Sequence, residues 1–480
     1  MAGRPSIASI LWFRRDLRLG DNPALSEAVN TAADRSGAVL GLFIVDPQLW
    51  RSTSNARQLW LAQSLRELDS SLHGRLQIAF GNPVSVLSRI AQEHRAVTVH
   101  ASRDFGRYGK ARDHDVASAL GGLGAELVLT GSPYAVDPGS LTSGAGGRYR
   151  VFTPFYRAWF KHGWDTPDSG PAQVTQWAVP LALAGIDDGW PLIDRTPAPP
   201  PEFGPIGEAA ALRRWHAFAD SALVDYAAGR NIPSIEGTSR LSAHLRWGEI
   251  HPRTILAQLP VQPTTTEAGK SIDTFRREIA WREFYAEVWD ANPTSNHTSL
   301  DSRFDNVLQI DSGAQADHRF TAWTQGRTGY PFVDAGMRQL RSEGWMHNRV
   351  RMVTASFLVK GLHLPWQLGA DWFMQRLRDG DTASNQHGWQ WTAGCGTDAA
   401  PFYRVFNPVL QGQKFDPDGD YIRRWVPELA SFDAKSVHEP WKLAGTLAWP
   451  ADCEYPERVV DHFVERDEAL RRFSALPPRA

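Results

Sequence analysis

Short apolar runs alternate with amphipathic stretches through the first quarter of the chain. SIASILWF (6–13), AVLGLFIV (38–45), RLQIAF (75–80), AVTVHAS (96–102) and AELVLT (125–130) are β-rich and bounded by polar segments. Between them, NARQLWLAQSLRELDSSL (55–72) and PVSVLSRIAQEH (83–94) carry helical periodicity. This alternation predicts a doubly wound parallel sheet with helices on both faces. No GxGxxG follows the first run, so a dinucleotide-binding fingerprint is missing.

The pattern then fades. Residues 131–205 hold SGAGG (143–147) and PAPPP (197–201), which read as a long connection. A stretch of that length is too long to be one bare loop, so part of it must pack on the domains. From about residue 206 the period becomes helical, as in GEAAALRRWHAFAD (207–220) and DTFRREIAWREFYAEVWD (273–290). PFVDAGMRQLRSEGW (331–345) and HNRVRMVTASFLVKG (347–361) form a further pair, with Gly344 as the expected break. The expected organisation is an α/β domain over 1–130, a connection over 131–205 and an all-α domain over 206–480.

Composition narrows the class. The chain has 480 residues, 42% hydrophobic and 22% charged, with no run apolar enough to span a bilayer. Arginines interrupt the N-terminal apolar stretch at once, so it does not read as a signal peptide, and a cytoplasmic location is expected. Cys395 and Cys453 cannot build a disulfide framework or a cysteine zinc site. A net charge of −2 means that any nucleic-acid binding must rest on a local basic patch.

Several side chains fall into chemically suggestive groups. Glu278, Trp281, Arg282 and Tyr285 lie at i, i+3, i+4 and i+7, on one helix face, with Ala280, Phe284 and Val288 as a core stripe opposite. Spacing alone fits a solvated Glu–Arg face, but a large Trp in its middle favours a binding surface. Asn348, Arg351 and Met352 share another face, with Arg349 a quarter turn away. Asp379 and Asp381 sit in a DGD turn without the further ligands a metal site would need, so no metal is expected. TSRLS (238–242) can cap a helix or present donors to phosphate. Trp389 and Trp391, two apart, point in roughly opposite directions, and Trp366 precedes them.

LWFRRDLRLGDNPAL (11–25), TGYPFVDAGMRQL (328–340), GWMHNRVRM (344–352), DGDTASNQHGWQW (379–391), GTDAAPFYRVFNP (396–408) and GQKFDPDGDYIRRWVPEL (412–429) together closely resemble the photolyase/cryptochrome family. The match is nearest to class I cyclobutane pyrimidine dimer photolyases and covers about residues 8–430. The resemblance implies an FAD-binding helical domain, a monomer, ultraviolet-damaged DNA as partner and no membrane. The implied activity is light-driven dimer repair by electron transfer from reduced FAD; a cryptochrome-type photoreceptor is the alternative.

Position by position, it implies FAD contacts at Tyr226, Thr238, Ser239, Arg240, Leu241, Ser242, Arg282, Trp345, Asn348, Arg351, Asp379 and Asp381, with Arg351 paired to Asp379. Asn385 would sit beside flavin N5, where an amide can hydrogen-bond either redox state. Glu278 and Asn348 would bind the dimer's base edges, with Trp281 and Trp391 as walls and Met352 below. Arg230, Arg349, Arg404 and Lys414 would contact phosphates. Histidines found in relatives that repair the (6-4) lesion are replaced by Asn348 and Met352, which favours cyclobutane dimers.

Trp389 and Trp366 match the first two members of the family's electron relay. The third should fall near 309–310, where Gln309 and Ile310 stand; either the relay ends early or another aromatic such as Trp372 or Trp323 substitutes, which leaves photoreduction open. SRDFGRYGKARD (102–113) resembles relatives whose antenna is 8-hydroxy-5-deazaflavin more than those using methenyltetrahydrofolate, with Asp104 near that antenna.

Overall fold

The computed structural model describes residues 6–94, 97–144, 146–170, 176–260, 265–307, 312–398 and 403–478; the side chains of Asn306 and Val307 lie outside the description. Two compact units emerge. One comprises residues 1–147, 156–218 and 240–262, the other 148–155, 219–239 and 263–480. This division is not contiguous and so differs from the boundaries 1–130, 131–205 and 206–480 expected from sequence: 156–218 and 240–262 pack with the α/β part. Polar side chains, invisible to hydrophobic periodicity, hold 240–262 there. Buried Glu249 accepts from Trp60 Nε1 (3.0 Å) and Ser64 Oγ and pairs with His244, while Asp21 pairs with Arg253 at 2.7 Å.

In the first unit, strands β1 (Ile7–Phe13), β2 (Ala38–Val45), β3 (Gln77–Phe80), β4 (Thr98–Ala101), β5 (Glu126–Leu129) and β6 (Asp187–Asp188) form one sheet in the order β5-β4-β1-β2-β3-β6. All neighbours are parallel except β3 with β6. β1 and β2 are buried along their whole length, as near-continuous apolar strands between helical layers should be. Asn22, Asp46, Ser54 and Asn82 each accept a backbone N–H of the helix they precede, and Pro23, Pro47 and Pro83 occupy first helical positions. The five expected strands are present. β6 was not foreseen, because two aspartates carry no apolar signal; it falls in the 131–205 stretch, which also forms the helices Phe152–His162 and Trp190–Arg195.

The second unit is helical. Its main helices are Glu267–Ala291, Ala314–Gln325, Pro331–Glu343, Asn348–Ser356, Trp366–Arg376, Thr382–Ala393 and His462–Ser474. Gly344 ends Pro331–Glu343 in the left-handed region (φ 59°), where a side chain would be strained. Asn348–Ser356 runs into a wider π turn, Phe357–Gly361, instead of continuing as one α-helix to 361. The core gathers Trp323, Tyr330, Phe332, Trp366, Phe373 and Trp389. Asp334 is buried within it and accepts from Thr328 N, Thr328 Oγ1, Gly329 N and Tyr455 Oη, so a polar group is fully satisfied inside apolar surroundings. No helix among the described residues is long and apolar enough to cross a membrane.

Candidate functional site

The helix Glu267–Ala291 carries the expected two-sided pattern. Ala280, Phe284 and Val288 are buried, and Glu278, Trp281, Arg282 and Tyr285 are half-buried on the other side. Glu278 pairs with Arg230 at 2.7 Å. Burial raises the Glu278 carboxyl above its usual range, and Arg230 beside it pulls in the opposite direction. Tyr226, buried under Arg230, packs edge-on against Phe275.

Asn348 is exposed at the start of its helix, its amide 4.0 Å from Met352 Sδ. Arg349, next to it, donates to Asn231 Oδ1 (2.8 Å) and lies over the Phe415 ring. Burial, then the charges of Arg230 and Arg404, lowers the Arg349 pKa. Lys414 rests on the same Phe415 ring, and Arg404 and Lys414 are exposed. Arg349 thus lies close enough to Arg230 and Arg404 to be repelled by both and shares the Phe415 ring with Lys414, a local grouping of cations in a chain whose net charge is −2.

Arg351 donates to Asp379 Oδ2 and to Met346 O, each at 2.8 Å. Asp379 is buried, and its Oδ1 has no hydrogen-bond partner among the described residues. A buried carboxylate oxygen left this way is costly unless a donor arrives. Asp381 caps the helix Thr382–Ala393 by accepting from Ser384 N. Asn385, one turn on, donates to Ala370 O and Gln386 Oε1. Trp345 is buried edge-on to His347.

Thr238 and Ser239 are half-buried in the second unit; Arg240, Leu241 and Ser242 belong to the first. Arg240 takes a positive φ of 49°, Leu241 is buried, and Ser242 opens the short helix Ser242–Trp247. Leu241 stands at its N-cap and no side chain caps it, so the hydroxyls of TSRLS do not cap the helix in this structure.

Trp389 is buried, with Phe373 (5.0 Å) and Trp323 (6.0 Å) as edge-on ring neighbours. Trp366, also buried, donates to Ser299 Oγ. Gln309 and Ile310 lie outside the described residues. Trp391 is half-buried and donates to Asp398 O at 3.2 Å. One flat face of Trp281 is covered by Phe152, stacked at 3.8 Å and 6°. Only its other face and its edges can meet a ligand.

Asp104 in the first unit accepts from Gly106 N and pairs with Arg112. Burial opposes its charge, but Arg112, Arg14 and Arg15 more than offset this and lower its pKa. Arg14 and Arg112 both lie over Trp12. No group of three or more His, Cys, Asp or Glu among the described residues could hold a metal ion.

Sequence reasoning missed Phe152, Asn231, Asp398, Phe415 and Lys360. The basic-aromatic run RYRVFTPF (148–155), inside a stretch read as a connection, was the available signal for Phe152. Lys360, on the π turn, donates to Arg404 O (2.8 Å) and sits 4.1 Å from the Tyr403 ring centroid. Burial lowers its pKa to about 7. Above that pH the unfolded chain holds a proton that the folded chain has released, so folding is favoured as pH rises. The stability difference between wild type and Lys360→Met should therefore move towards wild type by about 2–3 kcal/mol from pH 7 to pH 9. Denaturant titrations across that range check this; a constant difference would refute it.

The chain thus combines an α/β unit with a helical unit that carries a carboxylate–arginine pair, partly exposed tryptophans and clustered cations, the make-up of a two-unit α/β-plus-helical protein. Residues 275–475 match the FAD binding domain of DNA photolyase, and residues 9–172 match DNA photolyase. The deoxyribodipyrimidine photo-lyase of Agrobacterium fabrum is 38% identical over 479 residues, covering 97% of this chain and 98% of its own. A bacterial class III photolyase from Agrobacterium tumefaciens superposes with a TM-score of 0.86 at 37% identity, over 99% of this chain and 98% of that one. An archaeal photolyase from Sulfolobus tokodaii, solved with two FAD molecules, gives 0.80 at 28% identity, over 98% and 100%. The chain belongs to the DNA photolyase family.

Proposed function

We propose that the chain repairs cyclobutane pyrimidine dimers in DNA with light, as a class I type enzyme using FAD. The observation that carries this is the second unit's surface. Glu278 with Arg230, half-covered Trp281, exposed Asn348 with Met352, and the cluster of Arg349, Arg404 and Lys414 all belong to it.

The residues suit a flavin nucleotide. Asp379 Oδ1 needs a donor, and a flavin offers N–H and hydroxyl groups. Tyr226, Thr238, Ser239, Arg282, Trp345, Arg351, Asp379, Asp381 and Asn385 would hold it, and when bound and reduced it supplies an electron on absorbing blue or near-ultraviolet light. The chain's own work is to bind, orient and shield. Arg230, Arg349, Arg404 and Lys414 neutralise phosphates. Trp281 and Trp391 offer apolar walls to a flipped-out dimer; photolyases are an established example of base flipping, which costs a few kcal/mol and least for damaged bases. Glu278, half-buried and paired with Arg230, would face the dimer's base edges, where its carboxyl can act electrostatically as charge develops. Asn385 can bond either redox state without supplying a labile proton.

The test is to mix the purified protein with ultraviolet-damaged oligothymidine under reducing conditions and compare blue light with darkness. Dimers should disappear only in the light. Bound flavin without light-dependent loss would replace this reading with a cryptochrome-type photoreceptor. A deazaflavin antenna near Asp104 is part of the proposal, and an absorption peak beyond flavin's checks it; a spectrum of flavin alone would remove it.

A further inference from the structure

The two tryptophan walls come from separate parts of the sequence, yet one residue touches the supports of both. Asp398 accepts the Trp391 indole N–H through its backbone oxygen at 3.2 Å. Its side-chain Oδ1 accepts the backbone N–H of Phe152, the first residue of the helix Phe152–His162, at 3.3 Å. Phe152 in turn lies flat on Trp281 and edge-on to Phe284. Asp398 holds a left-handed backbone conformation, φ 54°. That region is uncommon for side chains other than Gly, Asn and Asp, and it costs free energy that the surroundings must offset. Upstream, Arg148 pairs with Glu287 (2.8 Å) and with Asp290, which ties this segment to the same helix that carries Trp281.

We propose that Asp398 is a positioning residue that sets the separation of Trp281 and Trp391, through its carbonyl on one side and Phe152 on the other, and so sets the width of the slot for the damaged base pair. This rests on reading those tryptophans as the walls of the dimer pocket. A slot held from one point would select for ligand thickness, so a flipped-out dimer would gain from it and an unflipped base would not. The effect belongs in discrimination between damaged and undamaged DNA, because the phosphate-binding cations are not part of the link.

Three variants separate the roles. Asp398→Asn keeps an acceptor oxygen and tolerates positive φ. Asp398→Gly suits the backbone but removes the acceptor. Phe152→Leu leaves Asp398 intact and removes the flat ring. Dark binding to oligonucleotides with and without one thymine dimer is measured for the flavin-loaded protein, with flavin content and melting temperature as controls. Asp398→Gly and Phe152→Leu should each weaken dimer binding about tenfold, the scale of one lost positioning interaction, and leave undamaged DNA unchanged. Asp398→Asn should stay near wild type. Equal loss on both DNAs, no loss in Asp398→Gly and Phe152→Leu, or an Asn variant as weak as Gly would overturn the proposal. Should Asp398→Gly fail to fold, Phe152→Leu alone decides by the same criterion. Absence of any dimer preference in the wild type would instead remove the pocket reading beneath it.

Discussion

Trp389→Phe should abolish light-driven reduction of bound flavin, while dimer repair by chemically reduced protein stays near wild type. Trp389 is buried with Phe373 and Trp323 as ring neighbours, and phenylalanine, far harder to oxidise than tryptophan, removes the redox-active ring at that point. Phenylalanine keeps most of the volume, so a packing defect of about 1–3 kcal/mol is the ceiling on collateral damage. Beyond Trp389 the aromatic contacts continue through Trp323 to Phe320 (6.0 Å) and on to Trp372 (6.3 Å). On that path Trp323 and Trp372 are the candidates to stand in for a relay member missing at 309–310. Trp323→Phe should then slow photoreduction without touching repair. The readout is bleaching of the oxidised flavin band under blue light with an added thiol as reductant. Unchanged bleaching in Trp389→Phe would remove the wire altogether.

The second large effect is expected at Asp379. Asp379→Asn keeps the shape and removes the charge opposite Arg351, whose guanidinium donates at 2.8 Å. Breaking a buried charge pair by taking away one partner costs roughly 3–5 kcal/mol. With FAD donating a hydrogen bond to Oδ1, flavin affinity should fall by about 10²–10³-fold and the purified protein should be nearly colourless. The ratio of flavin to protein absorbance reports this directly, and release of flavin fluorescence on heating should come at lower temperature. A variant that holds flavin as tightly as wild type would sever Asp379 from the cofactor.

Both arguments use residues whose types could be read from the sequence alone. The strands could be read because apolar runs bounded by Pro, Asn and Ser leave little choice of structure, and 38–45 coincides with β2. The helix 273–290 could be read because Ala280, Phe284 and Val288 repeat at the helical period; its first turns, from Glu267, are polar and gave no such signal. Glu278 and Trp281 were placed on one face by the same arithmetic. What stayed hidden was partnership across sequence. Nothing in spacing says that Phe152 will stack on Trp281, far along the chain, or that Asp398 will cap Phe152. Nor does periodicity reveal that 240–262 packs with the α/β unit, because charged and polar side chains, including Glu249 and Asp21, make those attachments. The π turn at Phe357–Gly361 is equally silent, since a wider turn and an α turn use the same residue types.

The shortest strand has a consequence for how copies of this chain behave in solution. A sheet margin with unpaired N–H and C=O groups is a template for another chain. Here that margin, beside β3, is closed by a pair of aspartates that run against the other strands. Their like charges disfavour a second sheet at this border, a guard that the opposite edge strand β5 does not share.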